Sequence, residues 1–179
     1  HLENTGAEIT YLPVHHDGRI NTAQLEQAIR PTTILIAIMY ANNETGTIQP
    51  VKEISAIARK HGIIFFSDAT QAVGKIPVNV MDDGIDLMAF SAHKIYGPKG
   101  VGGLYVRRKS PTVKLTAQID GGGHEKGMRS GTLNVPGIVG LGKACSTCAA
   151  ELSQESARIS QLRDELEKEI LDIPDTYLN

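Results

Sequence analysis

Apolar residues in this chain cluster into runs of two kinds. TILIAIMY, Thr33 to Tyr40, is nearly continuous and rich in β-branched residues, the pattern of a strand covered on both faces within a parallel sheet. GIIFF and DLMAF (Asp86 to Phe90) are shorter runs of the same type, and they end in SDATQ and SAHK. AEITYLPV (Ala7 to Val14) alternates and predicts a strand, as does VGGLYVRR (Val101 to Arg108). Between these runs the apolar spacing turns helical. Asn21 with Gln24 three positions on resembles a capping box ahead of Leu25, Ala28 and Ile29, and Pro31 ends that segment. Pro50 opens a second helix with Val51, Ile54, Ile57 and Ala58 on one face, and Gly62 is its natural stop. The order βαβαβ predicts an α/β domain with a mostly parallel central sheet flanked by helices, whose sites lie off the carboxyl ends of the strands.

Past Asn134 the pattern changes. VPGIVGLGKACSTCAA is loaded with Gly and Ala, suited to a closely packed helix, and Leu152, Ile159, Leu162, Leu166 and Ile170 then recur at helical spacing until Pro174. That makes a long C-terminal amphipathic helix, expected to bury its apolar stripe and solvate its charged face. At 179 residues, with 41% hydrophobic and 21% charged residues, residues 1–179 form one domain. A net charge of -2 argues against a nucleic-acid partner. The longest aliphatic run, Ile34 to Met39, is far short of the roughly 20 residues a membrane span needs, so no membrane is expected. No signal peptide is visible, which points to a cytoplasmic protein. The start at HLENTGAEIT, without Met, and the stop at DTYLN carry the expectation of a piece of a longer protein. Cys145 and Cys148 form a C-x-x-C, but no second pair completes a zinc site; we expect packed thiols and no metal.

Three strand ends collect polar groups: Asn42, Asn43 and Glu44; Asp68, Thr70 and Gln71; Ser91, His93 and Lys94. Singly each has a bland explanation in turn chemistry. In a parallel sheet they converge on one crevice, around one small molecule. Pyridoxal phosphate needs such a set: an amine to form a Schiff base with its aldehyde, a carboxylate to keep the pyridine nitrogen protonated, and donors for its phosphate. Lys94 and Asp68 suit the first two roles. Ser91 and His93 can bind phosphate, and Gln71 or Asn43 can bond the ring's phenolic oxygen. GPKGVGG lacks the Walker spacing and a G-x-G-x-x-G that opens a helix, and the residues after it, LYVRR, are strand-like, so a nucleotide cradle is not expected.

NNETG, DATQAVGK, SAHKIYGPKGVGGLYVRRK and GGGHEKGMRSGTLN, in this order, closely resemble the central part of the cysteine desulfurases. These are pyridoxal phosphate enzymes of the class V aminotransferase family, and the resemblance runs through nearly the whole chain. It implies a truncated large domain of the pyridoxal phosphate transferases, residues 151–179 leading toward a small domain. It implies Lys94 as the catalytic lysine joined to the cofactor, Asp68 at the pyridine nitrogen and Gln71 at the phenolic oxygen. Asn43 would lie near that oxygen and the substrate, and Ser91 and His93 at the phosphate. Thr132 would reach the phosphate of the other subunit in a homodimer. The implied reaction converts L-cysteine to L-alanine and leaves sulfur as a persulfide, passed to an iron–sulfur scaffold or another sulfur acceptor protein. In that family the sulfur-accepting cysteine sits on a mobile loop that CSTC does not match and that belongs beyond Asn179, so this segment alone is expected to be inactive. Two other readings remain open on the residues: a non-catalytic packing and dimerisation segment, and another class V lyase or transaminase using the same cofactor.

Overall fold

The computed structural model describes residues 1–178. Four strands, β1 (Leu35–Ala37), β2 (Ile64–Asp68), β3 (Leu87–Ser91) and β4 (Gly102–Val106), form one sheet in the order β1-β2-β3-β4. The first three run parallel, and β4 returns antiparallel to β3. The mostly parallel α/β sheet expected from the sequence is therefore present.

Helix α1 (Thr22–Ala28) starts where Asn21 Oδ1 accepts from the backbone N–H groups of Ala23 (2.9 Å) and Gln24 (3.1 Å). Helix α2 (Val51–Lys60) makes the crossover between β1 and β2. It ends in a Schellman motif: the Gly62 N–H donates to Arg59 O at 3.2 Å and the Ile63 N–H to Ala58 O at 2.8 Å. Gly62 takes φ +67°, the left-handed region that favours glycine, so the chain reverses at once into β2. Val51, Ile54 and Ala58 of α2 and Leu25 of α1 pack with Ile36, Phe65 and Met88 to form the core on one face of the sheet.

Three expectations are corrected. Ala7 to Val14 is not a strand: its residues are mostly exposed, and only Val14 makes a β-bridge, to Ile20. An alternating segment becomes a strand only beside a neighbour that takes its hydrogen bonds; this one is held instead by side chains, Arg30 pairing with Glu8 and donating to Thr10 Oγ1. The run from Thr33 to Tyr40 is strand only over Leu35–Ala37, and it is covered on one face, with Leu35 and Met39 each 41% exposed on the other. Helix α3 (Val135–Leu171) is continuous, but Ile159, Leu162, Leu166 and Ile170 lie exposed: only its first half packs, against the turns at Gly74 and at Gly97–Pro98.

The base of the sheet holds a buried ion pair. Arg107 Nε lies 2.9 Å from Asp86 Oδ1, with both side chains under 10% exposed. The remaining valences are filled: Arg107 Nη2 donates to Ile85 O (2.9 Å), and Asp86 Oδ2 accepts from the Phe65 N–H (3.0 Å). Nearby, the Tyr40 hydroxyl donates to Asp83 Oδ2 at 3.2 Å. Burial, reinforced by the Asp83 charge, pushes the Tyr40 pKa up to about 12. Arg107→Met should leave Asp86 as an unpaired buried charge and destabilise the fold by roughly 3–5 kcal/mol. Urea denaturation checks this, and the pair Asp86→Asn/Arg107→Met, which removes the charge but keeps an acceptor for the Phe65 N–H, should recover part of the loss.

Candidate active site

The register of the sheet brings the polar strand ends together. Ala37 pairs with Phe66, Phe66 with Leu87, and Asp68 with Ala89. Alternation therefore sets Met39, Asp68 and Ser91 on one face, the one opposite α1 and α2. Backbone bonds carry the alignment past the strands: the Tyr40 N–H donates to Asp68 O (2.8 Å) and the Ala69 N–H to Ala89 O (2.8 Å).

At these ends lies a cavity of about 330 Å³, lined by Met39, Ala41, Asn43, Asp68, Thr70, Gln71, Ser91 and Lys94. Five of the seven site residues expected from the sequence, Asn43, Asp68, Gln71, Ser91 and Lys94, thus meet around one space. His93 sits beside Lys94 on a short 3-10 turn (Ala92–Lys94) but is exposed and outside the lining. Thr132 is also exposed and outside it, in the loop before α3. Sequence reasoning misses Met39 and Ala41; their place at the end of an apolar strand is the available signal.

Each wall has a local cause. Asp68 Oδ1 accepts from the Thr70 N–H at 2.9 Å, which fixes the carboxylate against its own turn. Asn42 Oδ1 accepts from the N–H groups of Glu44 (2.8 Å) and Thr45 (3.0 Å), closing the loop that carries Asn43. That loop is tied down by buried Gln49, whose Oε1 accepts from the Ile20 N–H (3.0 Å) while Nε2 donates to Gly18 O (2.8 Å). The Lys94 backbone is pinned by a tight turn: the Ile95 and Gly97 N–H groups both donate to Ala92 O (3.0 and 2.9 Å), and the Ala92 N–H donates to Val101 O (3.1 Å). Gly103 lets the turn close on β3, since a Cβ there would lie 2.6 Å from the Phe90 ring. A flexible amine on a fixed backbone, facing a fixed carboxylate, suits covalent capture of an aldehyde on an electron-withdrawing ring. The donor set and the size of the cavity fit one substituted aromatic ring of that kind.

The aminotransferase class-V family model matches residues 1–179. The curated relatives agree. The chain is 56% identical over 167 residues to cysteine desulfurase IscS of Anaeromyxobacter sp. (strain Fw109-5), covering 93% of this chain and 41% of that one. It is 52% identical over 178 residues to cysteine desulfurase IscS of Mannheimia succiniciproducens, covering 99% and 44%. Among solved structures it resembles a NifS-like protein from Rickettsia africae (TM-score 0.90, 34% identity, 97% of this chain and 48% of that one). It also resembles SspA in complex with cysteine (TM-score 0.77, 47% identity, 81% and 42%). An α/β sheet with a lysine and an aspartate at its strand ends thus has close relatives of known class. The chain belongs to the aminotransferase class-V family, which is pyridoxal phosphate-dependent. It spans less than half the length of the curated relatives it matches.

A second, larger groove of about 550 Å³ runs between α3 and the lysine turn, with Ile95, Pro98, Ala144 and Cys148 among its lining. Its walls are chiefly apolar, so the smaller cavity, where charges and donors converge, is the chemical one. Cys145 and Cys148 are both free and half-buried on α3. Burial, with a contribution from Cys148, pushes the Cys145 thiol up, which favours the neutral, unreactive form. Among the described residues no group of three or more His, Cys, Asp or Glu is placed to hold a metal ion, and no helix is long and apolar enough to cross a membrane. Iodoacetamide at neutral pH should therefore modify Cys145 several-fold more slowly than an unstructured peptide thiol, as read by mass spectrometry against time; equal rates would contradict this packing.

Proposed function

We propose that this chain is the cofactor-holding core of a pyridoxal phosphate-dependent cysteine desulfurase. The observation that carries the reading is the cavity that Lys94 and Asp68 share at the carboxyl ends of β2 and β3. Bound there, pyridoxal phosphate supplies an aldehyde for covalent attachment of amines and a ring that draws electrons from the substrate α-carbon.

The residues divide that task. Lys94 holds the cofactor covalently through Nζ and moves protons at the substrate α-carbon when displaced. Asp68 would keep the pyridine nitrogen protonated through its carboxylate. Its bond to the Thr70 N–H holds it in place. Ser91 is half-buried, and its hydroxyl makes no capping bond to the 3-10 turn beside it, so it remains available to a phosphate oxygen. His93, beside Lys94, is assigned to the same phosphate. Gln71 and Asn43 bind the phenolic oxygen, and Thr132 serves the phosphate of the partner subunit in a homodimer. The substrate is L-cysteine, whose sulfur passes to the thiolate of an acceptor cysteine as a persulfide while L-alanine leaves. The similarity to the two cysteine desulfurase IscS proteins supports that substrate and iron–sulfur cluster assembly as the destination of the sulfur.

This division of roles is open to two tests. Addition of pyridoxal phosphate should give a visible absorbance band, and borohydride reduction should then add the cofactor mass to the peptide bearing Lys94. Lys94→Ala should abolish both, and a colourless parent protein would refute the proposal. Asp68→Asn keeps an oxygen for the Thr70 N–H but removes the charge. Capture on Lys94 should therefore persist, while alanine formation by the whole protein falls on the order of 100-fold.

A further inference from the structure

We propose that Lys75 is a positioning residue: it fixes the side-chain amide of Gln71 so that the NH2 group, and not the oxygen, faces the cavity. The inference rests on the cofactor reading above and concerns a residue outside the cavity lining.

The backbone after β2 winds as a helical turn. The Ala72 and Val73 N–H groups donate to Ala69 O (both 2.9 Å), and the Ile76 N–H donates to Ala72 O (3.0 Å). Gln71 and Lys75, four residues apart, therefore stack on one side of the turn. Lys75 Nζ donates to Gln71 Oε1. An ammonium has donors and no acceptor, so only the amide oxygen can face it. The Gln71 NH2 must then point the other way, and Gln71 lines the cavity. An unrestrained amide flips and offers either end. One held by a cation offers a donor, which is what an anionic phenolic oxygen requires.

The charge of Lys75 has a second effect. Partial burial, and after it the positive charge of Lys94, hold the Lys75 pKa below the usual lysine range. The positive charge of Lys75 thus adds to the pull of the Gln71 NH2 group on an anionic oxygen. DATQAVGK carries this arrangement in its spacing, with glutamine and lysine four positions apart.

The test is a titration of cofactor-free whole protein with pyridoxal phosphate, followed by absorbance. It compares the parent, Lys75→Met, Lys75→Arg, Gln71→Ala and the double variant Gln71→Ala/Lys75→Met. Lys75→Met should weaken binding about tenfold, the scale of a lost hydrogen bond to a charged group, and shift the visible absorbance maximum. Lys75→Arg, which still donates, should recover most of both. In the Gln71→Ala background the same Lys75→Met change should add less than about twofold, because Lys75 acts through Gln71. Parent-like binding and absorbance in Lys75→Met, or a full tenfold loss in both backgrounds, would overturn the inference and leave the cofactor reading intact. A parent protein that takes up no cofactor would overturn both. Should thermal unfolding show Lys75→Met to be misfolded, Lys75→Ala replaces it in the same cycle.

Discussion

Arg107 and Asp86 meet at the base of the sheet, and the alignment of β2, β3 and β4, two of which end in the candidate site, rests on their pairing. Asp86 immediately precedes β3 and takes a hydrogen bond from Phe65 of β2, while Arg107 comes directly after β4. The clamp therefore sets three strands in register from below. A pair buried this deeply loses much of its Coulombic gain to desolvation, so its worth lies in specificity more than in net stability. A slip of one residue would leave both charges unpaired in the interior. It would also turn Asp68 or Ser91 toward the helix-covered side of the sheet.

The two faces of the sheet divide structure from chemistry. On one, Ile36, Phe65 and Met88 disappear beneath α1 and α2. On the other, Asp68 and Ser91 stand at the edge of an open cavity, and the residues behind them along β1, β2 and β3 are aliphatic or aromatic. Rigidity comes from the packed side and from the backbone turns; adaptability comes from a single long side chain, Lys94. Under the proposed function, this would let the lysine be displaced and restored without disturbing the strands that aim the aspartate.

Much of this is legible in the sequence, for local reasons. The α2 boundaries come from Pro50 and Gly62, because a missing N–H and a left-handed residue act wherever they occur. The convergence of Asn43, Asp68, Ser91 and Lys94 comes from a general property of parallel sheets. The features that the sequence hides depend on neighbours. Ala7 to Val14 alternates as a strand should, yet alternation does not say which edge takes the hydrogen bonds. Leu35 and Met39 read as buried because an apolar run cannot show how many faces are covered. The stripe from Ile159 to Ile170 on α3 misleads for the same reason. Lys75 escapes notice because a lone lysine after glycine looks like any surface charge until its amide partner is seen.

The strand order repeats the order of the sequence, β1-β2-β3-β4, with no later strand inserted between two earlier ones. Each new pairing therefore closes a loop of only a few tens of residues at most, and the entropy of closure stays small. On a ribosome the segment can assemble edge outward as it emerges, adding one strand at a time to a template already formed. The aspartate then emerges before the lysine, and the pocket is completed by the last hairpin.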